Sequence, residues 1–143
     1  MPFEPQFPDA FSGYFHGDIQ TQVSDPHGIA PTTIISMQDD WHLKVDWQVN
    51  GSLVPSICGK WHVRAYLESM GPGPEILVAN RDIEFTGNSD YSETFFIGPN
   101  VPNVEGAYKL VTVITSTNKL GLPSPFAAYD EGPILQFYPA QNV

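Results

Sequence analysis

Two stretches, each opening on a Trp-His dipeptide, constrain this chain more than anything else in it. In the run 40–50, Trp41, Leu43, Val45, Trp47 and Val49 alternate with His42, Lys44, Asp46 and Gln48. In the run 60–69, Trp61, Val63, Ala65 and Leu67 alternate with His62, Arg64, Tyr66 and Glu68. Successive side chains of an extended strand point to opposite faces, so each run reads as a strand with one apolar and one polar face. All three tryptophans of the chain lie on the apolar faces, where each buries roughly 200 Å². The two runs are a core written twice, with the histidines on its outer face.

Two arrangements satisfy this pattern. In one, the runs pair as a hairpin about Pro55, with Trp47 opposite Val63, Val45 opposite Ala65 and Asp46 opposite Arg64. Cross-strand apolar and opposite-charge pairs each add about 0.2–1 kcal/mol to such a register. In the other, the runs belong to different sheets of a sandwich and their tryptophans meet across the interior. The residues themselves admit both.

The rest of the chain reads as further strands separated by breakers. Strands are expected over 18–24, 32–38, 76–85 (bent near Asn80-Arg81), 91–97, 107–116 and 134–138. Turns fall at Asp25-Pro26-His27-Gly28, Met70-Gly71-Pro72-Gly73-Pro74 and Gly87-Asn88-Ser89-Asp90, with a connector over 98–105. Phe95, Phe96 and Ile97 are consecutive, which implies burial on both sides or an edge under a loop. The run 107–116 is apolar on both faces, as a central strand is. No window of ten residues has a helical period free of breakers. About eight strands joined by regular turns predict an all-β chain: a single antiparallel β-sandwich, with a jelly roll or barrel as the alternative.

Ahead of the strands, residues 1–17 carry Phe3, Phe7, Phe11 and Phe15 at four-residue spacing, but Pro5, Pro8 and Gly13 exclude a continuous helix. They are expected to form an extended aromatic arm, with at most a helical turn around 9–12, beside a sandwich domain of residues 18–143. Its rings either cover the edge of their own core or reach onto a neighbouring subunit.

Gly106-Ala107-Tyr108-Lys109-Leu110-Val111-Thr112-Val113, a Gly-x-Tyr start to a late strand, resembles the penultimate strand of immunoglobulin-like and fibronectin III-like domains. Trp61, in a strand after a loop, is similar to their core tryptophan. The resemblance spans residues 32 to 138 and implies a two-sheet Greek-key sandwich. The chain departs from the antibody-type pattern in having no cysteine pair, and no function carries over from so general a likeness.

Charge narrows the partners. Six Lys and Arg against 16 Asp and Glu give a net charge of −10 over 143 residues, with no Lys or Arg before Lys44. An acidic field repels phosphate backbones, so nucleic acid is not an expected partner, and no stretch approaches the ~20 apolar residues of a membrane span. The start Met1-Pro2-Phe3-Glu4-Pro5 lacks the features of a secretory signal, and the single Cys58 suits a reducing compartment. Synthesis as a cytoplasmic protein is expected, and export by a route needing no signal is compatible with it.

Chemistry-bearing residues are sparse. His16, His27, His42 and His62 show none of the His-x-His or Cys-x-x-Cys spacings of a metal centre. Cys58 lacks the signature of a thiol nucleophile, and there is no Gly-x-Ser-x-Gly elbow. Asn88, Asp90 and Glu93 have too few oxygens for a calcium loop and read as a solvated turn, and Asp39-Asp40 as the cap of a strand. No catalytic residue, metal or cofactor is expected.

Recognition is expected at the ends of the sandwich. The longest loop, 118–133, places Leu120, Leu122, Phe126 and Tyr129 beside Asp130 and Glu131. The leading expectation is a non-catalytic protein that acts through protein contacts, as a subunit of a homo-oligomeric assembly. Phe3, Phe7, Phe11, Phe15, Leu120, Leu122, Phe126 and Tyr129 are its candidate interface. The alternative is a carbohydrate-binding module in which Tyr66, Phe126 and Tyr129 stack on sugar rings while Asp130 and Glu131 bond their hydroxyls.

Overall fold

The alternation seen in the sequence becomes burial in a computed structural model, which describes Phe3 and residues 15–24, 32–124 and 126–139. Eight strands follow in order: β1 (His16–Ser24), β2 (Ile34–Ser36), β3 (Trp41–Asn50), β4 (Lys60–Ser69), β5 (Ile76–Glu84), β6 (Asp90–Ile97), β7 (Gly106–Thr117) and β8 (Ala128–Tyr138). They form a three-stranded sheet of order β1-β3-β6 and a five-stranded sheet of order β2-β8-β7-β4-β5. All pairings are antiparallel except β2 with β8, which is parallel. Among the described residues no helix is long and apolar enough to cross a membrane.

The two Trp-His strands separate. β3 pairs with β1 and β6, whereas β4 pairs with β5 and β7. The hairpin register therefore does not form, and the chain crosses from one sheet to the other through residues 51–59. A short 3-10 turn, Val54–Ser56, shapes that crossing. Gly59 lets it re-enter the sheet: its φ is +131°, and a Cβ there would sit 1.9 Å from the Thr117 carbonyl oxygen.

Between the sheets, every apolar position of the two runs is buried, from Trp41 to Val49 and from Trp61 to Leu67. Ile19 and Val23 join them from β1, Tyr91, Phe95 and Ile97 from β6, Leu110 and Ile114 from β7, and Leu135 and Phe137 from β8. Phe96 points outward and is 72% exposed, so the Phe95-Phe96-Ile97 run is one-sided, at the rim of the three-stranded sheet.

β8 begins at Ala128, six residues before its expected start. Gly132 and Pro133 signal a loop, yet the strand absorbs them in a bulge. Lys109 is opposite Ile134 and Val111 is opposite Glu131, so Gly132 and Pro133 together face Leu110. A bulge is one of the few places where a sheet accepts proline. The irregularity of β5 lies at Val78, between the pairs Ala65–Ala79 and Tyr66–Leu77, rather than at Asn80-Arg81.

At one end of the sandwich Phe3 and Phe15, the described phenylalanines of residues 1–17, pack on its core. The Phe3 backbone N–H donates to the Gly17 carbonyl at 3.0 Å. Phe3 and Phe15 are buried, with Phe3 edge-on to Trp61 at 5.5 Å and Phe15 against Phe126 at 4.3 Å. These three phenylalanines therefore close the core of their own sandwich and are not free to bind a neighbour. Phe7 and Phe11 lie outside the described residues.

Each flank is joined by a polar contact. On one side the Thr21 hydroxyl of β1 donates to the Asp130 carboxylate of β8 at 2.7 Å. On the other, Arg81 of β5 reaches Glu93 of β6 while its guanidinium lies 4.6 Å from the centre of the Phe95 ring.

Candidate docking face

The half of each alternation that the core does not use builds the outer face of the five-stranded sheet. β4 turns His62, Arg64 and Tyr66 outward, β7 turns Val111 and Val113, β8 turns Tyr129 and Glu131, and β5 turns Leu77 and Asn80. Strand register sets them in two rows. One row runs Leu77, Tyr66, Val111, Glu131, and the next runs Asn80, Arg64, Val113, Tyr129. Ile134 continues the face along β8.

Among its polar groups this face carries more apolar and aromatic side chains than a solvated sheet needs. Tyr129 is 51% exposed, Ile134 53% and Leu77 49%. At about 25 cal/mol per Å² of apolar surface, covering such residues is favourable, and their grouping on one sheet face makes it a candidate interaction surface. Arg64 stands within it with no ion-pair or hydrogen-bond partner among the described residues. The hydroxyls of Tyr66 and Tyr129 and the Asn80 amide are likewise unpaired. Arg and Tyr among apolar neighbours are the residue types that carry interface energy.

Neighbouring charges on the same face are engaged. Lys109 bonds Glu131 at 2.8 Å. That hydrogen bond, reinforced by attraction to Glu131 and Glu68, holds the Lys109 ammonium above the usual lysine range. Lys60 pairs with Glu84 at 3.6 Å.

Next to the face, His62 is held in a fixed tautomer. Asp82 accepts from Nδ1–H at 2.6 Å, so the Nε2 of the neutral ring accepts from the Thr117 hydroxyl at 2.9 Å. These groups line a polar groove of about 430 Å³ that also includes Asn118, Lys119 and Gly121. Larger or comparable hollows lie elsewhere among the described residues. One of about 420 Å³ is lined by Asp18, Gln20, Asp46, Gln48 and Asp90 on the outer side of the three-stranded sheet. The other, of about 700 Å³, runs between the 70–74 turn and the 100–106 connector at the opposite end from the aromatic arm.

The structure disperses several residues considered together in the sequence. Cys58 contacts the Ser56 carbonyl, His42 meets Phe96 edge-on at 4.6 Å, and Glu93 pairs with Arg81. Among the described residues no three His, Cys, Asp or Glu side chains converge as metal ligands. Of the five residues of the carbohydrate alternative, Phe126 packs on Phe15, Asp130 bonds Thr21 and Glu131 bonds Lys109, which leaves Tyr66 and Tyr129 available. Leu120 and Leu122 stay exposed, Leu120 at 83%, on the loop beside the polar groove. Sequence reasoning did not single out Arg64, Leu77, Val111, Val113 or Ile134 as parts of a site. The signal was present in β7, whose valines alternate with buried residues and so had to face outward.

No protein-family model matches the chain, and no curated protein does. Among solved structures, a β-glucosidase from Listeria innocua in complex with glucose aligns with 85% of the chain at 11% identity and a TM-score of 0.51. The same enzyme in complex with gluconolactone aligns with 85% at 12% identity and a TM-score of 0.50. In both, the chain spans 16% of the length of the protein it is similar to. The likeness is one of fold.

Proposed function

We propose that this protein is a non-catalytic β-sandwich that acts by docking to protein through the outer face of its five-stranded sheet, as a subunit of a larger assembly. The observation that carries the reading is Arg64, a guanidinium without a partner among the described residues, set beside Tyr66, Val113 and Tyr129 on the outer sheet face. A free cation there remains hydrated until a partner covers it, and then needs a counter-charge or an aromatic ring. We also propose that the sandwich is of the immunoglobulin-like, fibronectin III-like kind. The strand order supports this, as does the Tyr108 hydroxyl at the start of β7, which donates to the Val104 carbonyl upstream at 2.7 Å.

Light scattering across a range of concentrations tests the docking reading, which expects a mass above that of one chain. A strict monomer at high concentration overturns it.

A carbohydrate-binding role is the second reading. It is favoured by the fold-level likeness to a β-glucosidase and by the exposed Tyr129. It is the weaker of the two, because Phe126 packs on Phe15 and Asp130 bonds Thr21 within the chain. Titration with glucans tests it, and no binding sinks it.

A further inference from the structure

We infer that the docking face is self-complementary and that its occupant is a second copy of this chain, related by a two-fold axis that runs along β7. The inference rests on the docking reading above and assigns its partner. β7 is the middle strand of the five, with β4 on one side and β8 on the other. Rotation about an axis parallel to β7, lying between two facing copies, brings β4 of one copy over β8 of the other and keeps each row in step.

The row that holds Arg64, Val113 and Tyr129 then meets itself reversed. Arg64 of each copy lies over Tyr129 of its partner copy, and Val113 lies over Val113. A guanidinium above a tyrosine ring gains cation–π attraction, and a two-fold interface makes that contact twice. In the neighbouring row, the free Tyr66 hydroxyl comes opposite the Glu131 carboxylate, with Val111 on the axis. Thus the cation and the hydroxyl both find partners, which no other described residue supplies within one copy.

The local charges of the face suit this occupant, although each copy carries a net charge of −10. Lys109 is the next outward residue on the axis, and Glu131 at 2.8 Å compensates it before two copies approach. The three strands that overlap, β4, β7 and β8, spaced about 4.8 Å apart, present roughly 450 Å² per copy, the low end of specific interfaces and the size of a reversible one. Aligned sheets face one another about 10 Å apart, which the outward valines and tyrosines fill. Because the axis follows the strand, the two 118–124 segments arrive at the same end of the pair. Leu120 and Leu122, exposed in the single chain, there face their own counterparts.

Sedimentation equilibrium of the full chain tests this, comparing wild type, Arg64→Glu, Tyr129→Ala and the control Gln48→Ala on the outer side of β3. The expected result is a reversible dimer whose affinity falls at least about tenfold in the first two variants and stays within about twofold in the control. A Val113→Cys chain in a Cys58→Ser background, treated with a short bis-maleimide, is expected to cross-link copy to copy, since Val113 lies on the axis. Association that survives both Arg64→Glu and Tyr129→Ala, with no cross-link through position 113, overturns the two-fold pair while leaving the docking reading standing. A wild-type chain that sediments as a monomer throughout overturns both. Thermal unfolding of each variant accompanies the measurement, so that loss of association with an unchanged melting curve is read as loss of the interface.

Discussion

Trp47 and Trp61 meet edge to face with ring centres 6.4 Å apart, one from each sheet. Tyr91 stacks on Trp47 at 5.3 Å and Phe85 lies 4.4 Å from Trp61, so the contact is the hub of the aromatic end of the core. Trp61→Ala is expected to cost about 3–5 kcal/mol, the usual loss on emptying such a site. Guanidinium unfolding measures it, and a loss under about 1 kcal/mol would mean that the sheets do not share this contact.

Thr112 sits in the middle of β7 with its hydroxyl buried and without a hydrogen-bond partner among the described residues. Its neighbours in register are Ala65 and Asp130. Replacing an unsatisfied hydroxyl by a methyl of similar shape removes a desolvation cost, so Thr112→Val is expected to raise stability by about 1 kcal/mol. Destabilisation in a melting curve would show that the hydroxyl has a partner after all.

The Thr21–Asp130 bond joins β1 to β8 at 2.7 Å. Thr21→Val keeps the shape and deletes the donor to a half-buried carboxylate, at an expected cost of about 1–2 kcal/mol. Amide hydrogen exchange localises the effect, with protection lost first along β1 and β8. A uniform loss across both sheets would contradict this assignment.

Lys109 gives a signed pH dependence. Its folded value is raised, chiefly by the hydrogen bond it donates to Glu131, above the unfolded value of about 10.4. The contribution is therefore fully present below about pH 10.4 and is lost as pH rises through the higher folded value. The effect is small at an exposed site. Lys109→Met is expected to flatten the decline in melting temperature above pH 10 relative to wild type, and an unchanged slope would refute the linkage.

Leu120→Ser with Leu122→Ser is expected to shift stability by less than about 0.5 kcal/mol, because neither side chain enters the core. A larger shift in chemical denaturation would show that the loop packs on the sandwich through its leucines as well as through Phe126.

The strands were legible because alternation is a direct readout of which face is buried. β4 begins and ends where the pattern of Trp61 to Leu67 places it. What alternation does not encode is the partner of a strand. The hairpin register for β3 and β4 satisfied local chemistry, and the arrangement in separate sheets satisfied it equally. The choice lies in the geometry of residues 51–59 and in Gly59, whose left-handed φ matters only once Thr117 is beside it. β8 was misjudged for a related reason: Gly132 and Pro133 break an isolated strand but fit one bulged against Leu110. The docking face escaped notice because Arg64, Val113 and Tyr129 are 49 and 16 residues apart in sequence, and only the β4-β7-β8 order brings them into one row.

The inward turn of Arg81 at the flank of β5 has a bearing on how copies of this chain assemble. A bare sheet rim invites another strand to add to it, and repeated addition grows without end. Here Arg81 and Glu93 bar one flank, Thr21 and Asp130 bind the other, and β2 offers only three residues for pairing. Charges turned inward and short outer strands are how sheet proteins avoid fibrils. Under the two-fold proposal, growth sideways is disfavoured while the broad face pairs, so association would end at a finite, symmetric particle instead of a filament.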